Sequence, residues 1–174
     1  MRSQWITLLG LIVALAQGAE ASQPGGETSA TGGKNPHVLM LLDRVESAEP
    51  GVVTYRLRAE GADEMAGYGF LLHFDAGQLT FLDAAPAPGG LLPLVNGSTG
   101  LFVASSPSPG QVAVGAVALD GSVGRGAGEL TTFAFRTSGP VSPGEIGISD
   151  AVLVDLSGAT DPAAGLEVKT DGLE

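Results

Sequence analysis

Two histidines, nineteen acidic and eight basic side chains are the ionisable groups with which these 174 residues could do chemistry, and there is no cysteine. A Ser-His-Asp relay needs its serine on a strained turn with a base in reach. The G-x-S-x-G pattern is absent, since Ser98 and Ser122 follow Asn96-Gly97 and Asp120-Gly121. His37 stands where a glycine-rich stretch ends, and His73 falls on the outer side of an expected strand. Neither H-E-x-x-H nor a Cys/His metal spacing occurs. Glycoside hydrolysis needs two carboxylates across a cleft, and no acid is paired in a buried sequence context. Asp150, Asp155 and Asp161 gather late in the chain, and the loop from Asp155 to Asp161 has oxygens to offer a Ca²⁺. It lacks the spacing and terminal Glu of an EF-hand, and the simpler reading is a solvated acidic turn. Gly124-Arg125-Gly126-Ala127-Gly128 has the look of a phosphate loop. Such a cradle needs a helix start behind it, and a strand pattern follows instead, so a turn loop is expected. Asn96-Gly97-Ser98 is formally a glycosylation triplet and reads as a turn. The inventory predicts no enzyme, no cofactor and no resident metal.

The elements that must position these residues read as strands. Val38 to Leu42 is a continuous apolar run, suited to a strand covered on both faces. Val53, Tyr55, Leu57 and Ala59 alternate with Thr54, Arg56, Arg58 and Glu60, which is period two. After a connection over 61–67, Tyr68, Phe70, Leu72 and Phe74 share one face, and Leu71 and His73 the other. Asp75-Ala76-Gly77 turns the chain into Leu79-Thr80-Phe81. An irregular stretch from Ala84 to Gly100 is expected to fold Leu91, Leu92, Leu94 and Val95 back onto the core. Leu101 to Ala104 and Gln111 to Leu119 are strands split by Ser106-Pro107-Ser108-Pro109-Gly110. Asp120 to Gly128 reads as a loop and Glu129 to Thr137 as a strand with Phe133 and Phe135 inward. Leu130 is out of phase with that pair, which predicts a bulge beside Gly128. Ile146 to Asp155 and Leu166 to Lys169 complete about nine short strands. No window reads as a long helix. The pattern predicts one all-β domain over 35–174, a nine-stranded sandwich with jelly-roll topology, with a closed barrel as the alternative.

The N-terminus reads differently. Met1-Arg2, the apolar run Ile6 to Ala16 and Ala19-Glu20-Ala21 have the order of a secretory signal peptide, cut after Ala21. The apolar run is too short to span a bilayer. Residues 22–34 read as a flexible leader. Cleavage removes Arg2 and Glu20 together and leaves the net charge at −11. Such a surface repels phosphate backbones, which disfavours nucleic acid, and no second apolar stretch suggests a membrane anchor. Of the eight aromatics left after Ala21, only Phe102 falls out of core phase, a poor platform for stacking sugar rings.

Three segments, in order, carry a resemblance. Gly69 to Phe81, GFLLHFDAGQLTF, resembles the cohesin pattern in which an aromatic-apolar strand ends in Tyr/Phe-Asp before Leu-x-Phe. Gly126 to Phe135, GAGELTTFAF, is similar to the cohesin glycine-rich turn and the strand behind it. Ile148 to Asp155, ISDAVLVD, resembles the penultimate strand and its closing Asp. The resemblance implies a sandwich that binds a dockerin helix pair on one sheet face, in extracellular assemblies that gather polysaccharide-degrading enzymes. It implies Asp75 as the family acid on that face, with Leu71 and His73 beside it and Arg125 on a rim. A carbohydrate-binding module of the same fold is the alternative.

Overall fold

The computed structural model describes residues 32–169, apart from Glu46, Pro93, 95–99 and 140–145. The signal segment, most of the leader, Val95 and the Asn96 triplet lie outside the described residues. Ten strands follow in chain order: β1 (Leu39–Val45), β2 (Val52–Met65), β3 (Gly67–Phe74), β4 (Leu79–Pro86), β5 (Gly100–Ser108), β6 (Gln111–Ala118), β7 (Gly124–Thr137), β8 (Ile146–Val154), β9 (Thr160–Pro162) and β10 (Gly165–Lys169). Nine of them match the expected count, and β9 is a three-residue addition. No helix occurs among the described residues.

The strands form two five-stranded sheets, β10-β1-β2-β7-β4 and β5-β6-β3-β8-β9. Neighbours are antiparallel except β1 and β10, which run parallel from Leu39↔Gly165 to Asp43↔Lys169. The sheets pack face to face, as period-two strands with one apolar side require. Tyr55, Leu57, Phe133 and Phe135 of the first sheet meet Tyr68, Phe70, Leu72, Val112, Val114 and Leu153 of the second. Phe135 is the hub of the ring contacts, with centroids of Phe74, Phe81 and Tyr55 at 5.0, 5.7 and 6.1 Å.

The bulge expected beside Gly128 is present. Leu57 pairs with Thr131 and Arg58 with Glu129, so Leu130 is the extra residue. It turns inward and is buried. Tyr68 reaches across the sandwich to this point. Its hydroxyl donates to the Leu130 carbonyl at 3.0 Å and shares a 2.6 Å hydrogen bond with Thr131 Oγ1. Burial pushes the Tyr68 phenol pKa up, against the opposing effect of the Thr131 bond.

Three expectations need correction. The connection expected over 61–67 is almost all strand: β2 runs on to Met65, helped by Gly61 at φ +81°, and Ala66 alone passes the chain to the other sheet. The GRGAG segment is the start of β7, pairing Gly124↔Met65, Gly126↔Ala62 and Gly128↔Ala59. Gly124 and Gly128 answer to packing, because Leu91 lies across them, and Gly126 to its left-handed φ of +80°. A Cβ on Gly124 would stand 2.7 Å from both Cγ and the carbonyl oxygen of Leu91. Finally, Phe102 packs against the core with Ala104. Leu91, Leu92 and Leu94 do fold back onto the core as expected.

Candidate protein-docking face

Alternation fixes which residues of the second sheet lie on its outer side. With Tyr68, Phe70 and Leu72 in the core, β3 turns Gly69, Leu71 and His73 outward. With Val112, Val114 and Ala116 inward, β6 turns out Gln111, Ala113 and Gly115. Register places Leu71 beside Ala113 and Ser149, and Gly69 beside Gly115 and Val152. Val103 of β5 extends the Gly69 row, and Ser105 the Leu71 row. The result is an outer side of glycine, alanine, valine, leucine and serine without a lysine, arginine or aromatic ring among the described residues; Gly69, Ala113 and Gly115 are buried, and Leu71, Val103, Ser149 and Val152 are partly exposed. Its one exposed charge among the described residues is Asp150, in the bulge where β8 passes Phe70. Asp150 has φ +53°, a left-handed conformation that Asp tolerates better than most residues. The other sheet is the opposite. Arg56, Arg58 and Arg136 point outward there, with Arg56 on Glu129 at 2.8 Å and Arg58 near Asp43 at 3.8 Å.

A hydrogen-bonded chain crosses four strands of this face. Ser149 Oγ donates to Asp150 Oδ2 at 3.1 Å and lies 2.7 Å from His73 Nε2. Gln111 Nε2 stands 3.5 Å from His73 Nδ1, while Gln111 Oε1 accepts from Ser108 Oγ at 2.8 Å. The arrangement is not a catalytic relay. The carboxylate meets the serine and not the histidine, and a side-chain amide occupies the ring nitrogen that an orienting acid would hold. Sequence reasoning missed Gln111, Ser149 and Asp150. Their signal lies only in strand register, which a single strand does not carry.

The candidate residues divide. Leu71 and His73 are half-buried neighbours on this face. Asp75 sits at its end, and its carboxylate is spent on the turn. Oδ1 accepts from the Gly77 amide at 2.8 Å and Oδ2 from Gln78 Nε2 at 3.3 Å. Arg125 lies on β7 in the other sheet, where it donates to the Asp63 carbonyl and reaches Glu64 Oε2 at 3.3 Å. Glu64 also holds Lys34 Nζ at 2.7 Å, and this bond, with the charges of Lys34 and Arg125, keeps its carboxyl below the usual range.

The late acids correct the reading of a solvated turn. Asp155 and Asp161 are only 2% and 6% exposed. Asp155 Oδ1 accepts from the amides of Ser157 and Ala159 and from Ser157 Oγ, at 2.6–3.0 Å. Asp155 Oδ2 takes the Lys34 amide at 3.3 Å, and Asp161 Oδ2 the Asn35 amide at 2.7 Å. Burial alone would raise the Asp155 pKa; the hydrogen bonds from Ser157, Ala159 and Lys34 outweigh it and leave the carboxyl below its ordinary value. Both oxygens are committed to backbone donors, and no metal-type cluster occurs among the described residues. The open groove of about 300 Å³ at the β1–β2 turn, lined by Arg44, Ser47, Glu49 and Val52 among others, has no carboxylate pair and no histidine among its described lining residues.

No protein-family model matches the sequence, and no curated protein matches it. Solved structures do. The sixth cohesin of scaffoldin B from Acetivibrio cellulolyticus, solved in complex with a mutant Cel5 dockerin, superposes with a TM-score of 0.59 over 78% of this chain and 99% of that one, at 17% identity. The chain has the cohesin fold. A non-cellulosomal cohesin from the archaeon Archaeoglobus fulgidus gives 0.57 at 17% identity, over 76% of this chain and 88% of its own. The second type II cohesin of the adaptor ScaA scaffoldin of A. cellulolyticus gives 0.60 at 12% identity, over 78% and 88%. At such identities the likeness is one of fold. It bears out the sandwich, and it leaves the face of this cohesin-like domain to be argued from its own residues.

Proposed function

We propose that this chain is a secreted, non-catalytic cohesin-like module that binds a dockerin-type protein domain on the outer face of β5-β6-β3-β8, in an assembly that degrades polysaccharide outside the cell. The observation that carries the reading is the contrast between the two sheets. In a chain of net charge −11, one outer face has a single exposed charge among the described residues and is otherwise small and apolar, while the other is laced with ion pairs. A sheet face this poor in charge suits contact with another folded surface. Support for the partner class comes from the fold neighbours, one of which was solved with a dockerin bound. In the proposal the segment 1–21 is removed on export, and 35–174 is the binding domain.

Leu71 is the apolar contact at the centre of the face, and His73 and Ser149 are its polar contacts. Asp75 acts through the turn it organises, and Arg125 belongs to the Glu64 cluster instead of the docking rim. The sugar-binding alternative is disfavoured by one observation: all eight aromatics between residues 32 and 169 pack against the core, Phe102 included. Stacking on a pyranose needs an outward ring.

The test is capture of a panel of dockerin domains by the purified protein, with and without Ca²⁺. Binding is expected to weaken about tenfold or more in Leu71→Ala, the loss of a central apolar contact. Failure of every dockerin to bind at high micromolar concentration would overturn the partner assignment. Depletion by an insoluble polysaccharide instead would favour the alternative.

A further inference from the structure

We propose that His73 is an acid-sensitive element of the docking face, coupling its own protonation to the Ser106–Gln111 hairpin and weakening partner binding at low pH. This rests on the reading of that face as the docking surface.

The direction of each hydrogen bond carries the inference. Ser149 Oγ gives its proton to Asp150, so it accepts from His73 Nε2–H. The opposite ring nitrogen, Nδ1, is then the acceptor of the long contact from the Gln111 side-chain amide. Protonation turns Nδ1 into a donor, and two N–H groups then face each other. The conflict is relieved when the Gln111 amide turns over and offers Oε1 to the ring. That oxygen is the acceptor of Ser108 Oγ, so after the flip Ser108 Oγ faces Gln111 Nε2–H and must accept where it donated. Ser106 Oγ donates to the Gln111 carbonyl at 2.9 Å and ties the same residue to the hairpin tip. One proton on the ring thus reverses the hydrogen-bonding sense of an exposed hairpin at the edge of the face.

The electrostatic sign follows from what surrounds the ring. From β8 the only ionisable group facing it is Asp150, one hydroxyl away through Ser149. Just past the end of β3 it is Asp75, two residues on, whose oxygens are held by Gly77 and Gln78. From β6 and the hairpin there is none, since 105–111 reads SSPSPGQ. Glu145, next before β8 in sequence, lies outside the described residues. A partner that covers Leu71 and Val103 also removes water from His73. An imidazolium there would be desolvated with one indirect counter-charge, so docking favours the neutral ring. Affinity is expected to fall roughly three- to tenfold between pH 7.5 and 5.5.

The experiment has two arms. In the free protein, amide and side-chain NMR resonances of Ser106, Ser108 and Gln111 are followed from pH 8 to 5 beside the His73 ring, in the wild type and in His73→Gln. In the second arm, affinity for a captured dockerin is measured at pH 7.5 and 5.5 with both proteins. The expected result is hairpin resonances that titrate together with the ring, and a pH-dependent affinity, both flattened in His73→Gln. Hairpin resonances that stay still while the ring titrates would overturn the relay, and an affinity equal at both pH values would overturn the link to binding. If no dockerin binds at either pH, the docking reading fails, and the free-protein arm still decides the relay.

Discussion

Asp155 shows how much a single side chain can hold in place. It lies 121 residues from Lys34 in sequence, and its carboxylate gathers the Lys34 amide together with those of Ser157 and Ala159. Asp155→Ala leaves these donors without an acceptor, and we expect a loss of about 2–3 kcal/mol in urea unfolding. The pH dependence has a definite sign. The folded carboxyl sits below its ordinary value. Its contribution is therefore complete above about pH 4, where the unfolded group is ionised, and is lost as pH falls through the depressed value. Wild type and Asp155→Asn should converge in stability towards pH 2, and a constant gap would contradict this. Tyr68 is the second such residue. Tyr68→Phe removes the bond from one sheet to the bulge in the other, at a cost of about 1–2 kcal/mol read as a shift in denaturant midpoint. No shift would mean that water replaces the hydroxyl.

At the scale of elements, the start of β7 makes the sharpest case. Gly124 and Gly128 sit under Leu91, whose amide donates to the Glu129 carbonyl at 2.7 Å. Gly124→Ala would drive a methyl group into the Leu91 backbone, and about 1–3 kcal/mol of destabilisation is expected in thermal unfolding. Gly121→Ala is the comparison, a left-handed glycine with nothing near its Cβ, where only conformational strain of about 1 kcal/mol applies. Equal losses would contradict the packing argument. The same segment shows where sequence reading succeeds and fails. Strand phases were legible because period two is local: Tyr68, Phe70 and Leu72 go inward, and Leu130 betrays its bulge by falling out of step. The GRGAG strand, the unbroken passage of β2 through Gly61 and the short β9 were not. The first two depend on partners distant in the chain, Leu91 over Gly124 and β7 beside β2, and β9 has only three residues in which to show a period. The candidate site divides on the same line. Leu71 and His73 share a face by alternation within one strand. Gln111, Ser149 and Asp150 reach them only through register, and Arg125 follows its pairing with β2 to another sheet.

For the whole molecule the organising fact is the division of charge between the two outer faces. Seven basic residues follow Ala21, and none falls on the strands of the second sheet. Arg56, Arg58 and Arg136 on the first sheet stand among carboxylates and threonines, a surface that stays hydrated. Exposed ion pairs of this kind add little stability, and their value here lies in keeping that side from associating. The opposite face, with aromatics withheld and charge nearly absent, suits contact with another folded surface better than contact with a sugar chain. Calorimetric titration of the purified protein with dockerin domains in Ca²⁺, repeated with Leu71→Ala and with Thr54→Ala on the charged sheet, tests this most directly. Saturable one-to-one binding is expected, weakened about tenfold or more by Leu71→Ala and unchanged by Thr54→Ala. Binding that survives Leu71→Ala and is lost with Thr54→Ala, or no binding at high micromolar concentration, would contradict it.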